Sequence, residues 1–83
     1  MINAWGLVRV TDWGGACPFQ AEGFIGNEPF YFRFRHGYAS LTFRGETESF
    51  NPEPGRMADG SCSYNEFESW MNILVHDWAE SYA

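Results

Sequence analysis

The chain predicts an α+β fold: an antiparallel sheet of three to four strands with one C-terminal amphipathic helix packed on its aromatic face. Three observations lead to it. Between Phe19 and Arg44, apolar and polar residues alternate through two tight-turn signals. A stretch bearing proline and glycine then interrupts the alternation. Beyond it, apolar residues recur at three-and-four spacing from Phe67 to Trp78.

The first element is the weakest. Leu7 to Trp13 contains Val8 and Val10 and can add an edge strand, although Gly6, Gly14 and Gly15 count against it. The next three strands support one another. A two-residue turn at His36-Gly37 sets Phe34 opposite Ala39, Phe32 opposite Leu41 and Phe30 opposite Phe43, so that one face is wholly apolar. The other face carries Tyr31, Arg33 and Arg35 opposite Thr42, Ser40 and Tyr38. A second turn at Gly26-Asn27 brings Phe19, Ala21, Gly23 and Ile25 onto the apolar face and leaves Gln20 and Glu22 on the polar one.

From Gly45 to Ser61 the alternation stops, and Asn51-Pro52-Glu53-Pro54-Gly55 favours turn or extended backbone without ladder hydrogen bonds, so this segment reads as a loop. Ser63-Tyr64-Asn65-Glu66 fits a capping box. The helix it opens, about Tyr64 to Ser81, buries Phe67, Trp70, Met71, Leu74 and Trp78 and shows Glu68, Asn72, Asp77 and Glu80 on its other side. With 83 residues the chain forms a single domain, 1–83, and its 19% aromatic content supplies a core without metal or disulfide staples.

Two cysteines, Cys17 and Cys62, stand far apart and outside any C-x-x-C pair. Reduced thiols are the first reading, a single bridge the second, and a zinc site shared with His36 and His76 conflicts with the close pairing of structural zinc ligands. No metal or cofactor is expected. No basic run precedes an apolar stretch at the N-terminus, and no window approaches the roughly twenty apolar residues that cross a bilayer. The expectation is a cytoplasmic protein of a host bacterial cell.

Charge then narrows the function. Eleven acids face five arginines and no lysine, a net charge of −6 that repels nucleic acid and anionic membranes and points to a basic partner surface. Catalysis finds no motif: neither histidine stands at a defined spacing from a nucleophile, and the glycines lack phosphate-loop spacing. Glu46, Glu48, Glu53 and Asp59 on the long loop, with Glu66, Glu68, Asp77 and Glu80 on the helix, form the candidate partner-binding surface, an array of anions able to imitate spaced phosphates. The alternative is Tyr31, Arg33, Arg35 and Tyr38 on the sheet, a residue set enriched at protein interfaces. Trp5 and Trp13 are unassigned: Trp13 either caps the sheet edge or stands exposed as an anchor.

The stretch Cys17-Pro18-Phe19-Gln20-Ala21-Glu22-Gly23, followed by Pro29-Phe30-Tyr31-Phe32-Arg33-Phe34-Arg35-His36-Gly37, resembles segments of small phage and bacterial proteins, and it brings no chemistry with it. In size, acidity and aromatic α+β character the whole chain resembles phage-encoded anti-CRISPR proteins, some of which mimic DNA. That resemblance implies a non-enzymatic inhibitor whose acidic surface blocks the DNA-binding groove of a CRISPR-Cas surveillance complex. Its partner would be a basic nucleic-acid-binding protein such as a CRISPR-Cas subunit, with no direct contact to nucleic acid or membrane. The rival expectation is a protein-binding adaptor that uses the Tyr/Arg sheet face, with the acidic surplus serving solubility.

Overall fold

A computed structural model describes residues 8–15, 18–52 and 62–82. Five strands follow one another as a meander: β1 Val8–Gly14, β2 Phe19–Ile25, β3 Glu28–Arg35, β4 Tyr38–Phe43 and β5 Glu46–Phe50. Every neighbouring pair is antiparallel and the order in the sheet is that of the chain. One helix, α1 Tyr64–Tyr82, completes the α+β architecture.

The central register is the one that the alternation dictates. Phe30, Phe32 and Phe34 pair with Phe43, Leu41 and Ala39, while Tyr31, Arg33 and Arg35 pair with Thr42, Ser40 and Tyr38. Apolar positions on β2, β3 and β4 are buried under the helix and their neighbours are turned outward. The core joins Phe19, Phe32, Phe34, Leu41, Phe67, Met71 and Leu74, all effectively without solvent contact. Aromatic rings meet across the two layers: Phe32 with Phe67 at 4.8 Å and Phe34 with Trp70 at 4.7 Å between centroids. Such pairs add to the area they bury.

Two details depart from the expectation. The sheet has five strands rather than three to four, because Glu46–Phe50, inside the segment read as a loop, pairs with β4. The turn at Arg44-Gly45 makes this possible. Both residues have positive φ, 54° and 81°, the geometry of a two-residue hairpin turn whose twist matches the strands. Thr42 and Thr47 then share a hydroxyl hydrogen bond of 3.0 Å across the new pair.

The second detail is a bulge in β1. Register slips between Val10 and Asp12, so Thr11 is the extra residue, and its hydroxyl donates to the Glu22 carbonyl at 3.2 Å. Without the extra residue Asp12 would follow Val8 and Val10 onto the helix side. With it, Asp12 faces out opposite Glu22, and Trp13 turns in toward Phe19 and Tyr64 at 6.0 and 4.9 Å between ring centroids. Trp13 nevertheless stays 54% exposed at the sheet edge, so it both borders the core and meets solvent.

The helix begins as its sequence requires. Glu66 N–H donates to Ser63 Oγ at 3.1 Å and Ser63 N–H donates to Glu66 Oε1 at 3.0 Å, the reciprocal pair of a capping box. At the far end, Trp78 Nε1–H donates to the Phe43 carbonyl at 3.2 Å and its ring meets the Phe43 ring edge-on at 4.9 Å. These contacts fix the helix direction. It runs from the Trp13/Phe19 end of the sheet to the β4–β5 turn.

Candidate functional site

Helix direction decides which acids can act together. Phe43 pairs with Glu46 and Leu41 with Glu48, so both glutamates stand on the helix side of edge strand β5. The Trp78 bond to Phe43 brings the last two turns of α1, with Asp77 and Glu80, to that same corner. Glu46 and Glu48 on β5 and Asp77 and Glu80 on α1 therefore lie toward the same end of the molecule.

The other expected acids do not join them. Glu66 and Glu68 stand in the first turns of α1, at the Trp13 end, and the Glu66 carboxylate is held by its own cap. Glu53 and Asp59 lie outside the described residues, as do Cys17 and Trp5. A bridge between Cys17 and Cys62 is consequently not described either.

The acidic corner is electrostatically costly. Glu80 lies in the last helical turn and Asp77 a turn earlier, at the negative end of the helix dipole, and the last turn holds no basic residue. A carboxylate there is disfavoured by about 0.3–1 kcal/mol where it is exposed, an effect that fades within a turn. His76 Nε2 stands 3.6 Å from Glu80 Oε1, and His76, Asp77 and Glu80 can place one ligand atom each within 4.8 Å of one another. This is a solvent-facing set that could touch a cation. Arg44, in the adjacent turn, lies with its guanidinium 5.8 Å from the Phe43 ring centre and is not ion-paired with a described carboxylate.

The opposite side of the sheet has a different chemistry. Tyr31, Arg33 and Arg35 project outward from consecutive alternate positions of β3, with Tyr38 beside Arg35 on β4. Arg9 stacks on Phe24 at 5.0 Å from the ring centre. Among the described residues no element covers this face, and Tyr31 and Tyr38 are 36% and 46% exposed. None of Arg9, Arg33 and Arg35 is ion-paired with a described carboxylate. The face carries two acids of its own, Asp12 and Glu22, opposite each other on β1 and β2.

Beside that acidic pair lies an open depression of about 270 Å³, bordered by Asp12, Trp13, Gln20, Glu22 and Tyr31. Neither His36, in the β3–β4 turn, nor His76, on α1, borders it. Among the described residues the depression brings together two carboxylates and a phenol, with no histidine in its lining. The Tyr64 hydroxyl is pushed above its ordinary value near 10.0 by burial and, secondarily, by the Glu68 carboxylate.

The sequence singled out all eight acids but could not divide them. What separates Glu46, Glu48, Asp77 and Glu80 from the rest is the diagonal of the helix, and the Trp78 indole that fixes it carried no polar assignment in the sequence reading. Comparison with known proteins returns no matching family model, no matching curated protein and no matching solved structure.

Proposed function

We propose that the protein is a non-enzymatic inhibitor that docks the acidic corner formed by Glu46, Glu48, Asp77 and Glu80 into the cationic groove of a nucleic-acid-binding protein. The observation that carries this reading is the position of the acids. Solubility alone is served by carboxylates anywhere on the surface, whereas Glu80 stands in the last helical turn, where it opposes the dipole unrelieved by any described arginine, with Asp77 one turn earlier. Charges kept at a cost to stability are explained by a partner that meets them.

A groove that grips DNA presents fixed positive potential along the phosphate path, and a rigid cluster of carboxylates satisfies it without counterions. The anti-CRISPR likeness makes a CRISPR-Cas surveillance complex the first target to try. In competition binding, the protein should release labelled target DNA from that complex, with an inhibition that weakens steeply as salt rises. The double variant D77K/E80K should bind at least about tenfold more weakly, a loss of about 1.4 kcal/mol, while its thermal midpoint stays level or rises because lysine suits a helix C-terminus. Tight simultaneous binding of DNA and inhibitor rejects mimicry. Unchanged binding by D77K/E80K rejects this corner.

A second reading is favoured by the open sheet face. Tyr31, Arg33, Arg35 and Tyr38 make a contact surface rich in the residue types that dominate protein interfaces, and nothing described covers it. Replacing Arg33 and Arg35 by glutamate should abolish partner capture if this face, and not the acidic corner, carries the binding.

A further inference from the structure

We propose that the open face of the sheet is the interface of a homodimer, in which two copies stack sheet on sheet to give four layers, helix–sheet–sheet–helix. The inference builds on the reading of this face as a contact surface and is independent of the acidic corner, which stays on the outside of both copies.

Area makes the dimer feasible. Five strands spaced about 4.8 Å apart and rising about 3.3 Å per residue expose a face of roughly 500 Å². Two such faces bury on the order of 1,000 Å², the lower bound for a specific association. Sheets stack about 10 Å apart, close enough for the outward Tyr and Arg side chains to interdigitate.

Charge selects the symmetry. A two-fold axis parallel to the strands would place Arg33 over its own copy, since β3 is the central strand. An axis lying across the strands, between the row of Tyr31 and the row of Arg33, avoids this. Each strand then crosses its own copy with the rows exchanged. Arg33 of each copy covers Tyr31 of the other, twice over, a cation–π arrangement that improves as water is excluded. Because Gln20 shares the Arg33 row and Glu22 the Tyr31 row, Gln20 meets the second copy's Glu22. Ser40 and Ser49 likewise come over Thr42 and Thr47, hydroxyl against hydroxyl. Around the central strand the face is thus complementary to itself: donors in one row stand against acceptors in the other.

Net charge does not forbid the pairing. Six acids, Glu46, Glu48, Glu66, Glu68, Asp77 and Glu80, lie on the helix or on the helix side of β5. In the dimer these two sets are separated by two sheet layers, beyond the roughly 8–10 Å screening length of physiological salt. The interface itself holds three arginines against two acids per copy.

Sedimentation velocity across a concentration series tests the proposal, with the mass expected to rise from the 9.5 kDa of one chain toward twice that value. Arg33→Glu, an exposed change that should leave the melting curve in place at dilutions where both chains are monomeric, is expected to weaken dimerisation at least about tenfold, since it sets a carboxylate against a tyrosine face. Gln20→Arg is expected to strengthen it several-fold, because it places a cation against the second copy's Glu22. A chain that remains monomeric up to millimolar concentration overturns the dimer. Dimerisation indifferent to both substitutions overturns this interface. Either failure leaves the acidic corner standing, because D77K/E80K probes the opposite side of the molecule.

Discussion

The two faces of one sheet are built from the same strands and obey different rules. On the helix side, Phe30, Phe32, Phe34, Leu41 and Phe43 are all buried, and the Trp78 indole N–H that reaches this layer donates to the Phe43 carbonyl. One residue along each strand, the outward face carries Tyr31, Arg33, Arg35, Ser40 and Thr42 and is covered by nothing described. Packing determines the first face and leaves the second free to be chosen for contact. It follows that stability and binding are separable by parity of residue number within β3 and β4.

The sharpest break of that separation compares the two faces of the paired strands β3 and β4. Leu41→Ala removes a side chain with no solvent contact, beside Phe32 in the core, and should cost about 3–4 kcal/mol. That is a large part of the roughly 5–15 kcal/mol that holds a domain of this size. Tyr31→Ala, on the open face, should change stability by less than about 0.5 kcal/mol while weakening any association through that face. Urea unfolding of both variants reads the difference. Comparable losses would mean that the outward face also contributes to the fold.

A somewhat smaller effect is expected where the two faces are tied together at β1. Gly23, buried on β2, approaches β1 so closely that an added Cβ would overlap the Arg9 carbonyl. Backbone cannot yield as a flexible side chain does. Gly23→Ala should therefore cost about 2–3 kcal/mol by forcing β1 away, in the range of overpacked cores. Amide exchange supplies the finer readout: protection should fall across Val8–Gly14 and persist in β3 and β4. Uniform loss of protection would show β1 to be integral to the sheet rather than hung on its edge.

What the sequence disclosed of this arrangement follows the same division. Strict alternation from Phe19 to Phe43 admits one register, and a slip by one residue would bury Arg33 and expose Phe32, so the central three strands were legible. β5 was not, because its helix-side positions are Glu46 and Glu48, which an edge strand tolerates and an alternation pattern rejects. The inward turn of Trp13 was hidden for another reason: it depends on the bulge at Thr11, which shifts parity without leaving a hydrophobic signature. At the candidate site, periodicity tells which side of α1 is buried and nothing of the direction in which its axis crosses the sheet. The outward Tyr/Arg set was readable from spacing, whereas the placement of Asp77 and Glu80 toward the same end as Glu46 needed the helix diagonal.

The smallest expected effect concerns the other end of that diagonal, where Tyr64 joins the acidic helix surface to the aromatic core. Its ring lies 4.9 Å from Trp13 and 5.3 Å from Phe67, and burial followed by the Glu68 carboxylate holds its hydroxyl above the ordinary value. Both causes disfavour the phenolate in the folded chain only. The neutral form is therefore stabilised by folding, and the contribution is complete below the unfolded value near 10.0 and is lost as pH rises through the raised folded value. Tyr64→Phe keeps the ring contacts and removes the titration. At neutral pH its stability should match the parent within about 0.5 kcal/mol, and above about pH 10 it should lose less stability than the parent does. Glu68→Gln should reproduce part of that gain, in proportion to the carboxylate's secondary share. Parallel pH profiles for the parent and Tyr64→Phe would show that water reaches the hydroxyl freely, and that the acidic surface and the core are uncoupled at this end as they are across the sheet.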